Sequence, residues 1–106
     1  MRPPGRSLGR VKELVHEHDH RRYVLRIDGQ VASALDYREL DGTVAFVRTF
    51  TNPPYRGCGL ASELVGFAVD DVEARSRLRI VPSCWYVEQW FDRHPSRRTL
   101  LDPRTA

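Results

Sequence analysis

A chain of 106 residues with 41% apolar and 29% charged residues is long enough for one packed core and too short for two. Those proportions exclude a disordered chain, and no apolar run is long enough for a membrane-spanning helix. The formal charge of +3 is almost wholly arginine, since Lys12 is the only lysine, and acidic residues are interleaved among the arginines. That mixture describes a solvated surface rather than the clustered stripe of a nucleic-acid footprint, and the mild positive excess suits a small phosphate-rich ligand. The start MRPPGRSLGR lacks the apolar stretch of a secretory signal. A cytoplasmic location, reduced Cys58 and Cys84, and no membrane or nucleic-acid partner are therefore expected.

Residues 1–9, with two prolines and two glycines, read as a flexible lead-in, which leaves 10–106 as a single domain. The stretch HEHDH puts His16, His18 and His20 at alternate positions, where imidazoles on one face of a strand could hold zinc or copper. It offers no evident fourth ligand and runs into Asp19 and Arg21-Arg22, so it reads as a solvated turn with no metal. The run RYVLRI, Arg22–Ile27, is β-prone and largely alternating, Asp28-Gly29 is a hairpin turn signal, and a second run covers 31–37. Another turn at 40–42 leads into TVAFVRTFT, Thr43–Thr51, rich in β-branched and aromatic residues and closed by Pro53-Pro54. These three runs predict an antiparallel meander.

Beyond the loop, Leu60, Ala61, Leu64, Val65, Ala68, Val69 and Val72 recur at helical spacing. They predict a helix covering a sheet, slightly weakened by Gly66. The run 78–81 then supplies a strand parallel to Thr43–Thr51 and completes a βαβ unit. Ser83 is placed to cap a C-terminal helix, CWYVEQWFDRH, which stops before Pro95, with a last turn over 96–101. The fold class is α+β: a meander, a βαβ unit and a C-terminal helix.

The loop NPPYRGCG occupies the strand-to-helix turn of that βαβ unit. There the first free N–H groups of the helix and its dipole favour an anion. Gly57 and Gly59 keep side chains away from the backbone, and Arg56 adds a forked guanidinium. The absence of G-K-[ST] excludes a Walker loop, and two glycines are too few for the dinucleotide fingerprint. What remains is Arg56, Gly59 and Ala61 in the pattern R-x-x-G-x-A. It resembles the phosphate-binding motif Q/R-x-x-G-x-G/A of the GNAT superfamily of acyl-CoA N-acyltransferases. The segments RYVLRIDG, VASALDY, VAFVRTFTNPPYRGCGLASELV, LRIVPSC and RHP follow in order. Together they resemble a small stand-alone GNAT-like acetyltransferase domain over positions 14–101.

The resemblance implies the minimal acyltransferase fold, which keeps the CoA-binding centre and little acceptor-binding structure. Acetyl-CoA is the implied cosubstrate, and the implied partner is an amine: a protein lysine, an N-terminus or a small molecule. The pyrophosphate would rest on the N–H groups of Gly57, Cys58, Gly59, Leu60 and Ala61 beside Arg56. The pantetheine arm would lie between the diverging strands, where Phe50 and Thr51 offer backbone hydrogen bonds. The thioester would face Cys84, a thiol at a helix start, which could receive the acetyl group, protonate the leaving thiolate or simply pack. Three positions depart from the pattern. Trp90 stands where many GNAT enzymes have an acidic tyrosine, and indole is no proton source for a thiolate, which leaves Tyr86 one turn earlier as a substitute. Arg48 fills a place that relatives often give to histidine, and Cys58 replaces a long polar loop residue. Two functions follow: acetyl transfer from acetyl-CoA to an amine of unknown identity, or a non-catalytic CoA-binding sensor or protein-interaction module.

Overall fold

Two Asp-Gly pairs set the first half of the chain. In the computed structural model, which describes residues 11–105, Asp28 and Gly29 have φ of 52° and 85°, and Asp41 and Gly42 have φ of 49° and 81°. Two consecutive positive φ values make the tight hairpin turn whose twist matches that of paired strands. The strands they join are β2 (Arg22–Ile27), β3 (Gln30–Leu40) and β4 (Thr43–Thr51). α1 (Leu60–Arg75) then crosses over to β5 (Arg79–Pro82), which runs parallel to β4, and α2 (Trp85–Arg93) follows. The sheet order is β1-β2-β3-β4-β5, so the expected meander and βαβ unit are both present. The lead-in assigned to residues 1–9 lies outside the described residues.

One strand departs from the sequence reading. Residues Lys12–Glu17 form β1, paired antiparallel with β2, and His18–His20 make a single 3-10 turn. The three histidines therefore do not share a strand face, and His16 is no part of a solvated turn. Its side chain is 13% exposed and points to α1. The Tyr37 hydroxyl lies 2.7 Å from Nε2, the Tyr23 ring stacks on the imidazole at 4.2 Å, and Nδ1 faces Asp71 Oδ2 at 3.0 Å. Tyr23 donates its O–H to the same carboxylate oxygen at 2.8 Å. With Lys12 bonded to Glu63 at 3.0 Å, β1 is tied to α1 along its length. Among the described residues no group of three or more His, Cys, Asp or Glu side chains is arranged to hold a metal ion.

Both helices bury their apolar stripes in one cluster on one sheet face. Leu60, Leu64, Val65, Ala68, Val69 and Val72 of α1, with Val87, Trp90 and Phe91 of α2, pack on Tyr23, Leu25, Leu35, Phe46 and Ile80. Val24 is fully buried but outside that cluster. It sits on the opposite face between Arg22 and Arg26, which both bond Glu17, at 2.7 and 2.6 Å. Ser83 does not cap α2: its N–H turns back to the Val81 carbonyl at 3.0 Å, which leaves Cys84 as the N-cap. The tail seals the outer edge of β5, where Leu101 bridges Ile80 and the Asp102 N–H donates to the Ile80 carbonyl at 2.8 Å. Covering that edge suppresses strand pairing between molecules.

Two predictions come from this packing. A Cβ at Gly66 would meet the Trp90 ring at 3.6 Å, an ordinary contact. Gly66→Ala should therefore keep the packing, remove the helix cost of glycine and raise stability by about 0.5–1 kcal/mol in urea unfolding. His16 has its pKa lowered by burial first, then by His18 and Arg75, against the opposing pull of Asp71. The unfolded chain therefore binds the proton more tightly than the fold does. Stability from this group is present above about pH 6.5 and is lost as pH falls through the window between that value and the lowered one. Unfolding midpoints measured from pH 7.5 downward should fall less steeply in His16→Gln than in the unaltered chain.

Candidate active site

The site begins where β4 and β5 stop pairing. Their parallel ladder runs from Thr43 opposite Arg79 to Phe46 opposite Pro82 and goes no further. Pro82 has no N–H to give to a ladder. At the same level Tyr37 faces Phe46 while Asp36 faces Arg48, so Val47 is an extra residue, a bulge that redirects β4. Residues 47–51 of β4 thus continue without a partner on the β5 side.

The head of this opening is the glycine loop. Gly57 and Gly59 have φ of 81° and 76°, a region that side-chain-bearing residues rarely adopt, and a Cβ at either would project into open space. Gly59 is the N-cap of α1 and brings no side chain to cap the first turn, so the N–H groups there remain for an outside acceptor. Thr51, Tyr55, Arg56, Gly57, Gly59, Leu60, Ala61 and Tyr86 line one open cleft of about 250 Å³. Arg56 Nε donates to the Thr51 carbonyl at 3.3 Å, which holds the guanidinium at the end of β4. The cleft thus joins a guanidinium, an uncapped helix start and open space, the chemistry of an anion site.

Not every expected residue joins it. Cys58 is exposed and turns its thiol toward the Arg56 carbonyl, 3.8 Å away, so only its backbone serves the loop. The Phe50 carbonyl accepts from Ser33 Oγ at 2.9 Å on the β3 side, and its ring is 41% exposed. Cys84 lies across the opening, its Sγ 3.5 Å from Thr49 Oγ1. Burial works against ionisation of this thiol. Hydrogen bonding from the Thr49 hydroxyl and from the backbone N–H groups of Tyr86, Val87 and Thr49 outweighs it, and the pKa is lowered.

The helix register settles which α2 aromatic faces the cleft. Trp90 is buried, edge-on to Phe91 at 5.1 Å and stacked on His94 at 3.9 Å, while Tyr86 borders the loop. Tyr55 and Thr49 were not singled out from the sequence. Tyr55 follows two prolines that fix the loop entry, and Thr49 shares the face of Thr51 by strand alternation.

The sequence model of the GCN5-related N-acetyltransferase family matches residues 22–100. The chain belongs to that family, with a five-stranded mixed sheet and helices consistent with it. No curated protein matches the chain. The match begins at β2, so β1 with His16 and the turn with His18 and His20 lie outside it. No helix among the described residues is long and apolar enough to cross a membrane.

The two free thiols should be chemically distinct. Alkylation of Cys84, followed by mass spectrometry in a Cys58→Ala background, should show a pH midpoint below the ordinary thiol range of about 8.5. A midpoint at or above that value would refute the hydrogen-bond account of its environment.

Proposed function

We propose that this chain is an N-acetyltransferase that takes its acetyl group from acetyl-CoA and passes it to an amine in the cytoplasm, where Cys84 stays reduced. The observation that carries the reading is the gap between β4 and β5, with the Arg56–Gly59 cleft at its head and the Cys84 thiol at its side. Acetyl-CoA, when bound, would supply an acyl carbon activated as a thioester. The backbone N–H groups of Gly57, Cys58, Gly59, Leu60 and Ala61 and the Arg56 guanidinium would hold the diphosphate. Thr51, at the cleft wall, would meet the pantetheine amides, with Phe50 beside it.

Cys84 would be the group that moves a proton, a role supported by its position beside Thr49 at the gap. Its thiol would donate to the departing sulfur and be restored by the proton that the attacking nitrogen loses. One C–N bond forms, one C–S bond breaks, and an amide and a free CoA thiol result. An oxyanion would need a backbone donor aimed into the gap, and the Thr49 N–H already points to Cys84 there. A second reading, CoA binding without turnover, draws on Trp90, which fills the core instead of presenting an acid.

A thermal scan with and without CoA tests the first half. At a hundredfold excess over Kd the native state gains about 2.7 kcal/mol. Arg56→Ala should shrink the shift, and Gly59→Val, strained at φ of 76° and reaching into the cleft, should abolish it. Absence of any shift for the unaltered chain would remove the proposal. Cys84→Ala should keep the shift and lower acetyl transfer about tenfold to a thousandfold. Full activity in that variant would return Cys84 to a packing role.

A further inference from the structure

A cavity of about 140 Å³ lies beside the last turns of α1, at the end of that helix opposite the glycine loop. Val44, Val72 and Leu78 form its apolar part, and His16 and His18 border it from ahead of the region that the family model matches. Each hydroxyl on its wall has its proton committed to the protein. Tyr23 donates to Asp71 Oδ2 at 2.8 Å, and Ser76 donates to the Val72 carbonyl at 2.9 Å. The Tyr37 hydroxyl lies 2.7 Å from His16 Nε2, and the direction of that bond follows from the other ring nitrogen. Burial favours the neutral imidazole, and its Nδ1 faces the Asp71 carboxylate at 3.0 Å. A proton there is attracted and a lone pair repelled, so Nδ1 carries the hydrogen and Nε2 accepts from the Tyr37 O–H. Asp71, in contrast, keeps acceptor capacity. Tyr23, His16 and Arg75 all approach Oδ2, and none of these contacts engages Oδ1. The His16 contact lacks the alignment of a hydrogen bond. Arg75, 52% exposed, stops at 3.6 Å, beyond hydrogen-bond distance. Glu39 adds an exposed second carboxylate to the lining.

We propose that this cavity is a second ligand site, separate from the acetyl-CoA cleft, for a small planar cation with N–H donors, an amidinium or guanidinium group. Hydroxyls and carboxylates that can only accept select a ligand that donates, and a carboxylate largely withdrawn from water selects a charged one. The forked N–H groups of such a cation match a carboxylate edge, so Asp71 Oδ1 is the anchor and the tyrosine oxygens are further acceptors. Val44, Val72 and Leu78 would cover the apolar body, and a cavity of this size holds nothing much larger than a benzene ring. Arg75 reaches for the same carboxylate from outside and would swing to solvent when the ligand enters.

Methylguanidinium chloride should be titrated into the isotope-labelled protein and followed by two-dimensional NMR, with methylurea as the neutral isostere and sodium acetate as the anion. Amide shifts centred on Glu39, Asp71, Arg75 and Ser76 should saturate with a Kd of about 1 mM, and methylurea and acetate should bind at least about tenfold more weakly. Saturating CoA should leave that Kd unchanged. Asp71→Asn should abolish the response. Arg75→Gln should tighten binding about threefold by removing the competing guanidinium, and Glu39→Gln should weaken it by a similar factor, the size of one exposed ion pair. Both of these side chains are exposed, so the two variants decide the matter if Asp71→Asn does not fold. No saturable change, shifts centred on the glycine loop, competition by CoA, equal binding of methylurea or acetate, or an unchanged Kd in both exposed variants would overturn the proposal.

Discussion

The parting of β4 and β5 after Phe46 and Pro82 is the constraint on which the site depends. A strand that continues without a partner leaves backbone N–H and C=O groups exposed along one edge, a cost normally offset by further pairing. Here two local features forbid that pairing. Pro82 has no donor, and the extra residue at Val47 turns β4 aside. The free edge then becomes useful, because α1 starts at its head and α2 at its side, and both present N-terminal N–H groups toward the same space. At α2 the thiol of Cys84 already takes those donors. At α1 the glycine N-cap leaves them for a ligand.

Thr51 shows how tightly this edge is held. Its hydroxyl lies 3.1 Å from Ser33 Oγ, which also donates to the Phe50 carbonyl, and its own carbonyl accepts from Arg56. The end of β4 is thus fixed by its ladder to β3 and by these side chains, with no strand on its β5 side. Such preorganisation lowers the entropy lost when a ligand is held. The exposed thiol at Cys58 matters little to it, since every useful group at that position is on the backbone.

The parts of the fold that were legible in the sequence are those fixed by local chemistry. Asp28-Gly29 and Asp41-Gly42 dictate hairpin turns whatever surrounds them, and the apolar stripe of α1 has one period and one face. The glycine loop was legible for the same reason, because positive φ and the arginine are adjacent in the chain. β1 was hidden because its inward position His16 is polar and the exposed Lys12 shares its side of the strand, and their partners Tyr37, Asp71 and Glu63 are remote in sequence. A polar residue facing inward disguises alternation. The bulge at Val47 leaves no mark in composition, and the nine residues of α2 carry aromatics on two faces. Whether Tyr86 or Trp90 meets the cleft therefore depends on how the helix sits on Gly66, a tertiary fact.

The two polar clusters occupy opposite ends of α1, and that separation divides their roles. Tyr23, His16 and Asp71 clamp β1 and β2 to the last turns of the helix, and Asp71 is drawn on by Tyr23, His16 and, at 3.6 Å, Arg75. Removing any of these partners leaves a partly buried polar group short of a bond, a cost to stability. The first turn of the helix is left without a side-chain cap, a cost of the same kind unless an anion fills it. One helix thus anchors the sheet through side chains near its C-terminal end and leaves the backbone of its first turn without a side-chain cap at the other. The proposed acetyl-CoA site lies at the uncapped end.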